Sequence, residues 1–436
     1  MAKKEIHQPT KANLLKLTID GVNFVELVNG NPVVRFHVKE LRLFEDICKF
    51  YFTGQLVIET MQNVYEILLA PLAQIEIVFE SPRHDKGPTR QYSEKFKLYS
   101  YDSKPIGGGA DARIEHTLSL IGQEFYNDKH NTVMQGFKLI PGTSAAAQIH
   151  KAYVAANGVL DNKIPSTGLI GSKEVPHQAS NVSPVKAIHD ILDRTVYAQE
   201  KTGAPVYFRN TRGYVMSPLK TLIETAPTAG SFKHLLSQGS YHDQIFNGYE
   251  NVIHMRPLSP PGETSAAASA AMAAIMNSSH FFDAKTGNTE SVVSNFAKIL
   301  KLPMINNIPG MKDRVKKMLE EAKRGIFGAR NMFRIVNDYM QARSVSKYGP
   351  GGYDKSEEVF LAMLTYAQKY WISVPIQTGL NVTCGSRIKV IFPIGGALTE
   401  RTFFVPRLIH ELKFTEGNNR QLVTNIGTTD IYCLYF

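Results

Sequence analysis

Apolar and polar residues alternate along several short runs near the end of the chain, the spacing that buries one face of a strand and exposes the other. Tyr370–Pro375, Arg387–Pro393 and Phe403–Leu412 have this character, are rich in β-branched and aromatic residues, and are bounded by Gly, Asn or Pro. They predict successive antiparallel strands of one small barrel. The first hundred residues carry the same signal in Leu14–Ile19, Val33–Val38, Gln55–Glu59, Ala73–Glu80 and Glu94–Tyr99. Strands at such near-regular intervals favour a second barrel or a sandwich. Lys104–Gly109, with three consecutive glycines, reads as a flexible hairpin tip, and His116–Gly122 and Val133–Ile140 follow as strands.

Helical spacing appears between these β regions. A helix is predicted from Thr143 or Ser144, either of which is a suitable cap, to Ala156. Pro184 opens a second, with Ile188, Ile191, Leu192 and Val196 on one face and Ser183 as cap. Val206–Arg209 and Gly213–Ser217 flank Asn210-Thr211-Arg212 as a tight hairpin, and Leu219–Glu224 is helical. Ala266–Met276 has strong helix propensity with little bulk to anchor it.

At 436 residues the chain is long enough for about two to four domains, each with its own core. The three cysteines, Cys48, Cys384 and Cys433, have no close spacing, so neither a disulfide framework nor a thiolate zinc site is expected. The first residues lack the apolar centre of a signal peptide, and no run approaches the length needed to span a bilayer. A soluble protein made in the cytosol is expected. The net charge of +10 (49 basic minus 39 acidic residues) is uneven. Residues 311–347 hold ten basic residues, including Lys312, Arg314, Lys316, Lys317, Lys323, Arg324, Arg330 and Arg334, against four acidic ones. Nucleic acid is one reading of this excess. A solvated helix face is the other, since Val315, Met318, Leu319, Ala322 and Ile326 recur at helical spacing.

Catalytic signatures are absent from the sequence. The thirteen histidines form no HExxH, and neither GxSxG nor a Walker loop occurs. His410 and Glu411 are adjacent on a strand and point to opposite faces, so they cannot grip one ligand together. Asp190, Asp193 and Arg194 on one helix are ordinary surface charges. No catalytic, cofactor-binding or metal-binding residue is assigned, and no cofactor is expected.

Particular stretches carry a family resemblance. Tyr366-Ala367-Gln368 before a strand, then Gly385–Phe392, then Phe404-Val405 leading into Ile409–Leu412, resemble the closing barrel of the central baseplate hub proteins of contractile-tailed bacteriophages. Leu41–Gly54 resembles that family's entry into its first tube-forming barrel, Met61–Leu72 its following short helix, and residues 184–224 its inserted α/β module. The spike proteins of type VI secretion and phage late-control tail proteins are related. The resemblance covers about two thirds of the chain; residues 260–345 match no motif.

The resemblance implies a mainly β, α+β chain with two similar antiparallel tube-type barrels. The first is expected at 10–105, and the second, discontinuous, at 110–175 plus 360–436. An α/β module is expected at 180–258, and a helical insertion with basic helices at 259–352. It further implies a structural virion protein rather than an enzyme: a homotrimer that adapts a threefold central spike to a sixfold tail tube and forms part of the DNA channel. The implied partners are the tail tube protein, the spike protein, the tape measure protein and baseplate wedge proteins, with genomic DNA only in transit and no stable membrane insertion. The implied location is the tail baseplate of the virion, assembled in the host cytoplasm. The alternatives are a nucleic-acid-binding protein using basic helices 312–334, a tail-associated cell-wall hydrolase, and a spike component of a related injection system.

Overall fold

The computed structural model describes residues 12–23, 36–61, 72–81, 90–108, 112–155, 174–193, 205–234, 250–257, 278–283, 289–293, 331–336, 370–394, 397–416 and 422–435. The opening strands are β1 (Asn13–Ile19), β2 (Val22–Asn23), β3 (Phe36–Asp46), β4 (Thr53–Met61), β5 (Gln74–Ser81), β6 (Arg90–Ile106) and β7 (Arg113–Gly122). Helix α1 (Gln123–His130), β8 (Val133–Pro141), α2 (Gly142–Ile149, continued by a π turn to Val154), β9 (Glu174–Val182) and α3 (Pro184–Asp193) follow. Next come β10 (Pro205–Asn210), β11 (Gly213–Pro218), α4 (Leu219–Thr225), β12 (Thr228–Lys233), β13 (Glu250–Asn251) and β14 (His254–Pro257). The chain continues through β15 (Ser278–Asp283), β16 (Thr289–Val293), β17 (Asn331–Val336), β18 (Tyr370–Pro375) and the short helix α5 (Ile376–Gly379). It closes with β19 (Arg387–Ile394), β20 (Ala397–Glu416) and β21 (Leu422–Tyr435).

The fold is mainly β, and its large sheet curls into two barrels that share β20 and β21. In the first ring, β1, β5, β6, β7, β4, β3, the later part of β20 and the start of β21 follow one another and return to β1 through the pair Asn13 and Val423. Its core contains Leu17, Leu41, Leu43, Leu56, Ile75, Ile77, Phe79, Phe96, Leu118 and Leu412. In the second ring, β12, β19, the earlier part of β20, the end of β21 and β18 are closed by residues 250–257, which pair with β12 as β13 and with β18 as β14. Phe232, Ile372, Val374, Ile388, Val390, Phe403, Leu408 and Ile431 fill it. Each inward side chain follows from strand alternation: Leu41, Leu43, Glu45 and Ile47 face in, while Arg42, Phe44 and Asp46 face out.

A third unit packs beside the barrels. β8 and β9 form a two-stranded sheet, and β10 and β11 a hairpin, around a core of Ile149, Ile188, Ile191, Leu192, Tyr207, Tyr214 and Met216. β15, β16 and β17 make a separate three-stranded sheet.

Several elements differ from the sequence expectation. The strand at 113–122, expected in the second barrel, pairs with β4 and β6 in the first, because the turn after Ile106 folds it straight back on β6. The strand at 133–141 lies in the module, since α1 carries the chain away from the barrel before it starts. The first strand of the second barrel is instead β12, within the stretch expected to belong to the module. The stretch expected to be a helical insertion contains β15, β16 and β17; Arg334 stands on a strand. Thr143 and Ser144 do not cap α2, which starts at Gly142 after Pro141 without a side-chain cap. Gly54 has no left-handed backbone; a Cβ there would lie 3.2 Å from the Arg42 carbonyl, so close packing is what favours glycine. The expected helices at 61–72 and 266–276 lie outside the described residues, apart from the ends Met61 and Leu72; of the expected basic helices at 312–334, residues 312–330 lie outside them and 331–334 belong to β17.

Gly385 is different, with φ of +83° and the Phe208 ring 2.5 Å from where a Cβ would be. Gly385→Ala is expected to cost roughly 1–3 kcal/mol, the range for forcing a side chain into such backbone. Gly136→Ala, with open space around it, is expected to leave the urea midpoint unchanged within error. Equal midpoints for wild type and Gly385→Ala would contradict this account.

Candidate assembly face and the junction behind it

Eight strands run consecutively across both barrels in the order β6, β7, β4, β3, β20, β21, β18 and β14, every pair antiparallel. Directly opposed residues project to the same side, so the register writes the outer face as rows. One row runs Ser100, Ser119, Gln55, Arg42, Glu411, Thr428. Its neighbour runs Asp102, Thr117, Val57, Glu40, Lys413. Toward the second barrel the rows are Thr53, Phe44, Ile409, Asp430, Ser373, His254 and then Asp46, Arg407, Tyr432, Trp371, Arg256. The described large apolar side chains that stand well exposed, among them Leu15, Val22, Leu72, Met134, Leu139 and Leu398, belong to none of these rows. The result is a continuous, mostly polar wall of hydroxyl and charged groups, interrupted by Val57, Phe44, Ile409, Tyr432 and Trp371 and with Ser373 buried.

Charges on the wall are arranged differently at its two ends. On the first barrel Lys39 bridges Glu59 and Glu115, Lys104 reaches Glu115 at 2.6 Å, and Arg113 lies 3.6 Å from Glu59. Nearer the shared strands, Arg42 binds Glu40 at 2.6 Å and Glu411 at 3.0 Å, and Lys413 binds Glu411 at 3.2 Å. Such pairs contribute little singly, but the lattice keeps this part of the wall close to neutral. On the second barrel Arg256 lies 4.7 Å over Trp371 and Arg407 lies 5.4 Å over Tyr432, with His254 stacked 6.2 Å from the indole. Burial raises the pKa of Asp430 beside them, opposed by hydrogen bonds from Ser373 and Trp371.

Behind the wall, the tip of the β10–β11 hairpin wedges between the barrels. Buried Arg209 donates to both oxygens of Glu94 at 2.9 and 2.8 Å and to Glu124 at 2.6 Å, and lies 4.5 Å over the Phe52 ring. Burial works against the guanidinium charge, yet Glu124 and Glu94 outweigh it and raise its pKa. Burial raises Glu94 as well, with Arg209 pulling the other way. One residue further, Asn210 donates to the Cys384 carbonyl at 3.0 Å. Glu45 accepts from the backbone N–H of Thr211 at 2.9 Å and of Cys384 at 2.8 Å, so a single carboxylate joins the first barrel, the module and the loop of the second barrel. Full burial pushes Glu45 up to about 7.

His410 is buried and hydrogen-bonds Thr429 at 2.8 Å, while Glu411 faces outward to Arg42, as alternation requires. Burial lowers His410 to about 4; His150, bonded to Tyr207 at 2.7 Å, is lowered by burial to the same value. Asp190 is partly exposed on α3; the Asp193 side chain and Arg194 are outside the described residues. Lys312–Arg330 also lie outside them. Among the described residues, no group of three or more His, Cys, Asp or Glu could hold a metal, and no helix is long and apolar enough to cross a membrane. Sequence reasoning missed the Arg209 cluster because its members lie far apart in the chain. The one local hint is a charged residue inside an aromatic strand, Tyr207-Phe208-Arg209.

No protein-family model matches the chain, and no curated protein matches it. Among solved structures, the chain has the fold of the tail protein from Neisseria meningitidis MC58, with TM-score 0.50, 10% identity, and 98% of this chain and 96% of that one covered. The 43 kDa tail protein of prophage MuSo2 from Shewanella oneidensis is similar at TM-score 0.47 and 10% identity, covering 96% and 97%. A component of the Escherichia coli type VI secretion system is similar at TM-score 0.39 and 7% identity, covering 97% and 77%.

Arg209→Ala leaves two buried carboxylates facing each other, and is expected to cost roughly 3–5 kcal/mol in urea denaturation. A loss below about 1 kcal/mol would count against the junction. Acid stability is expected to reflect opposed groups, His410 and His150 on one side and Glu45 on the other. Folded His410, near 4 against an ordinary 6.5, resists a proton that the unfolded chain accepts, so stability is lost as pH falls from about 6.5 toward 4. Folded Glu45, near 7 against 4.5, takes its proton first, so its contribution improves as pH falls from about 7 toward 4.5. Urea midpoints across pH should therefore fall less steeply in acid for His410→Asn, and Glu45→Gln should lose the favourable trend between about pH 7 and 5. Parallel curves for wild type and both variants would refute the assignment.

Proposed function

We propose that this chain is a structural subunit of a contractile phage tail, a homotrimeric baseplate hub whose eight-stranded wall lines part of the DNA channel. The observation that carries this reading is the continuous, mostly polar wall across two fused barrels. A wall of this composition suits a hydrated lumen better than a dry interface, whose centre would be apolar. The tail-protein fold supports the same role.

The strand count favours a ring. Eight strands alternate in direction, so β6 at one end of the wall and β14 at the other run oppositely. A second copy placing its β6 beside β14 would continue the antiparallel pattern, and identical contacts repeated through 120° rotations make a closed ring of three. Three copies of a two-barrel chain present six barrels, which adapts a threefold spike to a sixfold tube. In this reading the hub meets the tail tube protein on one side and the central spike on the other. Tape measure and baseplate wedge proteins are further neighbours. It is assembled in the host cytoplasm and resides in the virion baseplate.

Light scattering of the purified protein is expected to give three chain masses, and negative-stain images a ring with a central hole. Amides in residues 100–106 and 254–257 should exchange with deuterium more slowly in the ring than in dissociated chains. A chain that stays monomeric at high concentration, with and without tube and spike proteins, would overturn the proposal.

A further inference from the structure

The cations of the wall fall into two groups, and only one is held in ion pairs. Lys39, Arg42, Lys104, Arg113 and Lys413 each have a carboxylate partner. Arg256 and Arg407 instead lie over aromatic rings, and among the described residues neither has an acidic side chain within ion-pair distance. We infer that the row Arg256, Trp371, Tyr432 and Arg407 is a phosphate-contact site for a DNA duplex lying against the wall. This rests on the channel reading above and adds to it a place where DNA touches the protein.

The chemistry follows from how a guanidinium binds a ring. Stacking occupies one face of the planar group and leaves N–H donors around its rim, which match phosphate oxygens. The ring also fixes a side chain that would otherwise lose much rotamer entropy on binding. The register holds both arginines in one row, three strand steps or about 14 Å apart, so they address one face of a polyanion together. His254, stacked on the same indole, is a third donor. Two carboxylates stand nearby, neither within ion-pair distance of an arginine: Asp46, opposite Arg407 in the ladder, accepts the Cys48 N–H at 2.9 Å, and Asp430 accepts from Ser373 and Trp371. Phosphate contacts of this kind carry no base sequence, as a passage for a whole genome requires.

The test is fluorescence anisotropy of a labelled DNA duplex of arbitrary sequence, from about 50 to 200 mM salt, with the mass of each sample measured in parallel. Wild type is expected to bind, with log affinity falling linearly against log salt. Arg256→Gln with Arg407→Gln should make that slope shallower by about 2 per chain and weaken binding at least about tenfold. Lys413→Gln, which removes an ion-paired cation, should keep the wild-type slope. No binding at the lower salt, or equal slopes for wild type and the double variant, would overturn the site. A ring that binds no duplex overturns the site and leaves the hub reading standing. Arginine-dependent binding by a chain that never forms a ring supports the site and overturns the ring.

Discussion

Two barrels that own the same two strands cannot be positioned independently, and most of this architecture follows from that sharing. β20 pairs with β19 and β21 in one barrel and with β3 and β21 in the other. The handover is made at a bulge between Phe404 and Arg407, where Pro406 removes a ladder donor. Its freed carbonyl accepts from Ile47 N–H at 3.0 Å and from Cys384 Sγ at 2.8 Å, so the bend is tied to both barrels. Because the strands continue through the bend, the outer wall continues too, and two of its rows cross from the first barrel to β14.

The hairpin wedge sets the angle that the bend alone leaves soft. Arg209, Asn210 and Thr211 are consecutive, yet their partners come from β6, α1, the loop after α5 and β3. A buried guanidinium tolerates only an arrangement in which its carboxylates stay in place, which makes the cluster a device of specificity as much as of stability. The tyrosines Tyr207 and Tyr214, stacked 5.8 Å apart, and His150 extend the same packing into the module.

The sequence was most legible where period and local chemistry coincide. The hairpin at Asn210-Thr211-Arg212, the helix opened by Pro184 and the strands around Trp371, Val390 and Leu408 are local patterns, and their structure agrees. Which barrel a strand joins is a long-range matter. His116 and Leu118 alternate as any strand would, and nothing near them says that their partners are Ile58 and Leu56 rather than β20. β12 escaped notice because Thr228–Lys233 contains glycine and serine and gains its place from β19. The junction was illegible for a related reason: Glu45, Glu94 and Glu124 look like surface carboxylates until the fold buries them.

The shared strands also impose a timetable on biosynthesis. Arg42 and Glu411, partners across the first barrel, are 369 positions apart, and β21 contributes to both rings. A growing chain can lay down the β3–β4 hairpin and the β5–β6–β7 meander, joined through β4 and β7, but neither ring can close until β20 and β21 have emerged. Until then the incomplete sheet carries open edges and depends on its own fast local hairpins, or on chaperones, to stay out of aggregates. Completion of both barrels is then a single late event, and a ribosome-bound fragment has no finished wall.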